Sequence, residues 1–242
     1  MRIAPGAILV LLAGCAPALR EPAPLPRIPG APEDPLGEAE RAWAARPDRA
    51  WVERALTLFL QAAERDATGT AALEGAARSA SWLVEREASA ARRDALVSTA
   101  LQAAQWCRKR DRSAPACAYR LAIALGLQAR ERPSTAADGL PAMIALLREA
   151  AAADPALDHG GPQRVLALVL LRAPGWPAGP GDADEGLVQA RAASALDPTY
   201  PQNLLALAEA LEKTGAEEEG KALRARAREE AARRVARGDP EE

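Results

Sequence analysis

Three cysteines and a single histidine carry the readiest chemistry in this 242-residue chain. Cys15 follows Leu12-Ala13-Gly14 at the end of a short apolar run that begins at Ile3. Cys107 and Cys117 stand ten positions apart, one near the end of a helical stretch and the other near the start of the next. An antiparallel pair of helices would bring their thiols face to face, either as a disulfide or as two buried free thiols. His159 has one adjacent ligand type, Asp158, too few for a metal site. It precedes Gly160-Gly161-Pro162, so Asp158 or the glycine turn is expected to cap a helix with Pro162 at an early position. The alternative for His159 is a ligand-binding or pH-sensing role. No phosphate-cradling glycine loop, HExxH, GxSxG or CxxC occurs, and we expect neither enzymatic activity nor a cofactor.

The text around Cys15 resembles the bacterial lipobox. Arg2 supplies a positive leader end, and the apolar run is too short to span a bilayer, which takes about 20 residues. The resemblance implies that residues 1–14 are a signal peptide and that Cys15 becomes the lipidated first residue. Acyl chains anchor in proportion to buried methylenes, at roughly 0.8 kcal/mol each. Alanine rather than aspartate at position 16 points to the periplasmic side of an outer membrane. Seven prolines between residues 16 and 35 remove backbone donors and fix φ, so residues 15–35 read as an extended tether. At about 3.1 Å per residue it could hold a domain roughly 60 Å from the bilayer.

From residue 36 to 237 the composition is helical: alanine, leucine, arginine and glutamate dominate, and aromatics are only 3%. Residues 238–242 read as a disordered tail. A net charge of −2 argues against a nucleic-acid binder, which normally carries a basic stripe. Arginines alternate with glutamates along helical faces, the pattern of solvated salt-bridge surfaces.

Gly186, Ala190 and Ala193 are spaced as the small residues of a tetratricopeptide (TPR) second helix, and Gly220, Arg224 and Ala227 repeat that frame 34 residues later, the TPR period. Ala55, Phe59 and Ala62 fit the same spacing. Asp111, Asp154 and Asp197 follow one another at 43 residues, each closing a helix. The extra length falls within "GLQARERPSTAADGLP" and "RAPGWPAGPGD", expected as two long loops on one edge of the stack. The fold expected is an all-α, TPR-like solenoid of four to five helical hairpins with a concave inner face.

The second loop holds Trp176 between prolines, flanked by Arg172 and Pro177. Trp176 either folds back over Leu168 and Leu171 as a lid or presents a rigid aromatic to a partner. In the second case Trp176, Pro177 and Arg172, with His159 at the other end of the intervening helix, are the contact residues. Asp182 and Glu185 form a capping-box-like pair at the start of the next helix.

Residues 159 to 214 open with Gly-Pro, continue through a short helix and a Pro/Gly loop, and close on a TPR helix. This arrangement resembles the TatT family, TPR lipoproteins associated with TRAP transporters. Departures are Pro162-Gln163 in place of a Pro-His pair, Gly179-Pro180-Gly181-Asp182 in place of Gly-Gly-Asp, and Ala190 in place of an aromatic. The resemblance implies a non-enzymatic accessory that partners a periplasmic solute-binding protein and handles an apolar ligand. An envelope-assembly adaptor is the alternative, and a small apolar ligand inside the superhelix a third.

Overall fold

The computed structural model describes residues 17–239. Cys15, the signal peptide and residues 240–242 lie outside the described residues. Ten α-helices follow one another among them: α1 (Pro35–Ala44), α2 (Arg49–Arg65), α3 (Ala71–Glu85), α4 (Ala90–Arg110), α5 (Pro115–Glu131), α6 (Ala136–Ala153), α7 (Gly161–Arg172), α8 (Ala183–Leu196), α9 (Pro201–Lys213) and α10 (Glu217–Ala236). Consecutive helices pair as five antiparallel hairpins, each stacked on the next. The fold is an all-α helical-hairpin solenoid.

Small residues set the crossings. A Cβ added at Gly186 would meet Leu171 of α7 at 2.8 Å, and one at Gly220 would meet the Ala208 carbonyl of α9 at 2.9 Å. Ala55, Phe59 and Ala62, Ala190 and Ala193, and Ala227 are all buried, so the small-residue frame faces the core. Only a glycine or alanine at such points lets helix backbones approach this closely.

The second helices of the first four hairpins end in the same device. Asp66, Asp111, Asp154 and Asp197 are the C-caps of α2, α4, α6 and α8, and each carboxylate accepts the amide two residues on. The Asx turn redirects the chain into the next hairpin.

The first expected long loop does not exist. Residues 126–131 extend α5 and 136–141 begin α6, leaving only a 3-10 turn at Pro133–Thr135. The sequence before Pro133 is composed of helix formers, and the break falls at Arg132, whose φ of −132° and ψ of 77° leave the helical region that a following proline disfavours. The longer repeat period is therefore longer helix, not loop. Residues 173–182 remain as a true loop, closed by hydrogen bonds from Gly181 N to Pro174 O and from Asp182 N to Leu170 O.

The Pro-rich segment also departs from expectation. Residues 17–34 lack helix but lie as a strap across the second helices. Ala18 is buried and donates its N–H to Asp138 of α6 at 2.8 Å. Gln102 and Trp106 of α4 both donate to Ala23 O, at 2.9 and 2.8 Å. Gln61 of α2 donates to Pro29 O at 3.1 Å, and Arg65 to Pro32 O at 2.6 Å. Leu25 and Ile28 pack against the core. A proline-rich backbone offers acceptors and few donors, and these helices present amide, indole and guanidinium donors to match.

Candidate functional site

The first helices of the hairpins line one continuous inner groove. A cavity of about 340 Å³ within it runs from Trp43 of α1 to Gln202 of α9. On α3 and its C-cap, Arg78, Trp82 and Arg86 recur every fourth residue and share one face; on α5, Arg120, Ile123 and Leu127 do the same at three and four. Helical periodicity alone puts these side chains on the groove wall.

Four guanidiniums, those of Arg78, Arg86, Arg120 and Arg164, line the cavity against two carboxylates, Glu85 and Asp158. The arginines are held from behind. Arg78 pairs with Glu40 at 3.2 Å and lies 4.6 Å from the Trp43 ring centre. Arg120 pairs with Glu74 at 2.6 Å. Arg164 donates to Asp158 Oδ2 and to Asn203 Oδ1, both at 3.0 Å, and lies 4.9 Å from the Tyr200 ring. Arg86 sits 3.8 Å over the Trp82 ring. Arg78, Arg120 and Arg164 are thus ion-paired as well as held beside aromatic rings.

Two polar atoms on this wall are buried with no hydrogen-bond partner besides Arg78 Nε: the Trp82 indole N–H and Gln202 Oε1. Trp82 is only 7% exposed. A buried donor and a buried acceptor without partners are costly in a folded protein.

The residues singled out from sequence are distributed differently. Trp176 does not fold back; it is 89% exposed, and the Trp176–Pro177 peptide bond is cis. The loop closes through its own backbone bonds, so the core beneath needs no lid. Arg172 pairs with Glu209 at 2.7 Å near that loop. His159 stands at the opposite end of α7, about 18 Å away by helical rise. Its ring stacks on Tyr200 with centroids 4.4 Å apart, and Nδ1 lies 2.8 Å from Asp197 Oδ2. Burial works against the Asp197 charge, but hydrogen bonds from Thr199 and His159 outweigh it and hold the carboxyl below its usual range.

Asp158 does not cap α7. The N-cap is Gly160 in the left-handed region, with no side-chain bond. Asp158 instead accepts from Tyr119 and Arg164, which pull its carboxylate across to the neighbouring hairpin. Asp182 does cap α8, accepting the Glu185 amide at 2.9 Å, while the Glu185 side chain leaves for Arg148. Cys107 and Cys117 form a disulfide, their Cα atoms 5.3 Å apart. Among the described residues no group of His, Cys, Asp and Glu could hold a metal ion, and no helix is long and apolar enough to cross a membrane.

A stack of helical hairpins with an inner groove defines a helical-repeat solenoid, and solved structures place its architecture among TPR proteins. The crystal structure of TTC0263, a thermophilic TPR protein of Thermus thermophilus, superposes with a TM-score of 0.64 at 22% identity, over 84% of this chain and 93% of that one. A crystal structure of MamA covers 84% of this chain and 95% of its own, with a TM-score of 0.51 and 13% identity. At these identities the likeness is one of fold. No protein-family model matches the chain, and no curated protein matches it in sequence.

Proposed function

We propose that this chain is a membrane-anchored, periplasmic TPR lipoprotein that holds a protein partner in its inner groove, as a TatT-like accessory of a TRAP-type solute transporter. The observation that carries the binding role is the groove itself, with its aligned arginines and its partnerless Trp82 and Gln202 atoms. The lipobox at Cys15 supports the anchor, and the text of residues 159 to 214 supports the TatT assignment. A lipid on Cys15 would then leave only Ala16 between the anchor and the docked strap, so the solenoid would sit against the bilayer rather than 60 Å from it.

A small apolar ligand would meet Ile123, Leu127 and the Trp rings in this cavity, but also the charged side chains beside them. An envelope-assembly adaptor is favoured by that same charged wall and differs from the first reading only in the partner. The test is affinity capture from detergent-solubilised envelopes with the wild-type, Arg78→Gln and Trp176→Ala proteins. Recovery of a periplasmic solute-binding protein that is lost in Arg78→Gln supports the accessory reading. Recovery of assembly components in its place moves the assignment to the adaptor, and equal recovery from wild type and Arg78→Gln removes the groove from either role. Labelling with radioactive palmitate, abolished in Cys15→Ala, tests the anchor separately.

A further inference from the structure

The loop of the fourth hairpin differs from the rest of the surface in composition. Residues 173–181, Ala-Pro-Gly-Trp-Pro-Ala-Gly-Pro-Gly, hold no charged side chain and no hydrogen-bonding one besides the Trp176 indole, in a chain that is 26% charged. Trp176 within it is 89% exposed. Three of the ten residues 173–182 are prolines without an N–H. Five of the other seven amides donate to backbone carbonyls: Ala173 to Val169, Ala178 and Gly179 to Gly175, Gly181 to Pro174, and Asp182 to Leu170. The charges at its base are engaged, Arg172 with Glu209 and Asp182 with the Glu185 amide. An apolar loop that carries its own hydrogen bonds meets the condition for leaving water for a low-dielectric phase.

Its place in the fold points to the phase it meets. At the outer end of the strap, Pro17 shares a surface cleft with Ser134 and Thr135 in the turn that joins α5 to α6. Ala18 is bonded to Asp138 in the first turn of α6. The 173–182 loop joins α7 to α8, so both turns connect the two helices of a hairpin and lie on the same edge of the solenoid. Asp138 precedes Asp154, the cap of its helix, by sixteen residues, and Asp182 precedes Asp197 by fifteen. These are spans of about 24 and 23 Å by helical rise, so the end of the strap and the base of the loop stand at similar heights above the opposite edge. Cys15 is two residues from Pro17, a reach of about 7 Å. A lipid on Cys15 therefore sets the bilayer against the edge that carries Trp176.

We infer that the 173–182 loop is a bilayer-contacting tip, with Trp176 and its flanking residues seated in the headgroup layer of the membrane that holds the anchor. The inference rests on the lipid anchor at Cys15 and adds a second, non-covalent contact beside it. Tryptophan suits this layer because its ring is apolar and its N–H polar. A single tether leaves the solenoid free to swivel, and a second contact on the same edge sets its orientation. Trp51, the other exposed tryptophan among the described residues, begins α2 on that edge but stands among Glu38, Arg41 and Arg54. The cost of desolvating those charges keeps its surroundings in water, which makes it an internal control.

The experiment is quenching of tryptophan emission by brominated lipid. The chain from Cys15 onward is coupled through the Cys15 thiol to a maleimide lipid in neutral phosphatidylcholine vesicles; Cys107 and Cys117 are bridged and do not compete. Phosphatidylcholine brominated in the upper part of its acyl chains should remove up to about a fifth of the emission, since one of five tryptophans is within reach. The loss should vanish in Trp176→Phe and persist in Trp51→Phe, with circular dichroism showing wild-type helicity in both. Raised salt should not reverse it, because the loop holds no charge to screen. Equal quenching of wild type and Trp176→Phe overturns the inference, as does quenching that disappears only in Trp51→Phe. If Trp176 is not quenched and Trp176→Ala loses a partner in envelope capture, the loop is a protein contact and the inference fails. Palmitate incorporated at Cys15 without quenching of Trp176 leaves the anchor standing and the inference fallen. Quenching of Trp176 on the coupled vesicles, without palmitate incorporation in cells, supports the bilayer contact and removes the anchor.

Discussion

The Tyr119 hydroxyl donates to Oδ2 of Asp158 at 2.6 Å, joining the third hairpin to the turn that opens the fourth. The same oxygen receives Arg164 at 3.0 Å. Asp158 is held at φ 51°, a left-handed conformation that a non-glycine residue adopts only at some cost. Burial, followed by the nearby Asp158 carboxylate, pushes the phenol well above its ordinary range, so it stays a donor. Gly161 makes room, because a Cβ there would lie 2.4 Å from the hydroxyl. Tyr119→Phe is expected to lower stability by about 2 kcal/mol, the contribution of a hydrogen bond to a charged acceptor. Urea unfolding at pH 7 measures it, and a loss below about 0.5 kcal/mol would mean that Arg164 alone satisfies Asp158.

Gly75 of α3 faces the ring of Phe59 across the boundary between the first and second hairpins. An added Cβ would lie 2.4 Å from Cε1 of that ring, and Phe59 is fully buried. A ring wedged in a packed core cannot swing aside as a flexible chain could. Gly75→Ala is therefore expected to destabilise by about 1–3 kcal/mol, although alanine is the better helix former. Thermal unfolding against wild type checks the sign, which helix propensity alone would make positive.

The Cys107–Cys117 bridge closes a short loop between α4 and α5, spanning ten positions. For a loop of that size the constraint on the unfolded chain is worth roughly 2–3 kcal/mol. The double variant Cys107→Ala/Cys117→Ala should lose about that much, and reductant should bring wild type to the same midpoint. Alkylation under denaturing conditions, without reductant, should modify neither cysteine.

Much of this fold could be read from spacing. The small residues of α2, α8 and α10 are sequence signals because helix crossings tolerate nothing larger, and aspartates 43 residues apart marked turns because an Asx turn needs that side chain. The groove was hidden for a different reason. Arg78, Arg120 and Arg164 sit in Arg/Glu-rich text that reads equally well as a solvated surface, and only tertiary stacking shows which face is turned inward. Their recurrence at 42 and 44 residues was the available signal, masked because it matches neither 34 nor 43. The strap was missed since a run of prolines predicts extension but is silent on whether side chains elsewhere supply the donors it lacks. Trp176 illustrates the converse: its place between prolines marked a rigid loop, but whether the ring turned inward depended on loop closure by backbone bonds.

Acid should weaken the turn after α2 in a defined window. Asp66 accepts the Gly69 and Thr68 amides and the Thr68 hydroxyl, which together lower its carboxyl to about 2. A folded-state value below the unfolded one gives stability that is complete above about pH 4 and is lost as pH falls toward 2. Wild type should exceed Asp66→Asn in stability at pH 7, and the gap should close between pH 4 and 2. Unfolding midpoints measured across that range check it; a gap that stays constant would show that the carboxylate charge contributes nothing.

The strap is expected to detach before the solenoid melts. Its hold comprises side-chain donors on α2 and α4, the buried Ala18 with its amide on Asp138 of α6, and the partly buried Leu25 and Ile28. Each hydrogen bond of this kind contributes about 1 kcal/mol net. Removing the Gln61 and Gln102 amides should therefore raise the population of the detached strap by roughly 10- to 30-fold. The second helices keep their own packing, so helicity should not change. Trypsin offers a direct readout, because Arg20 and Arg27 lie within the strap and neither precedes a proline. In Gln61→Ala/Gln102→Ala, cleavage at those two arginines should accelerate by at least about tenfold while far-ultraviolet circular dichroism stays the same. Unchanged cleavage would assign the hold to Ala18, Leu25 and Ile28, and a simultaneous loss of helicity would make the strap part of the solenoid's own stability.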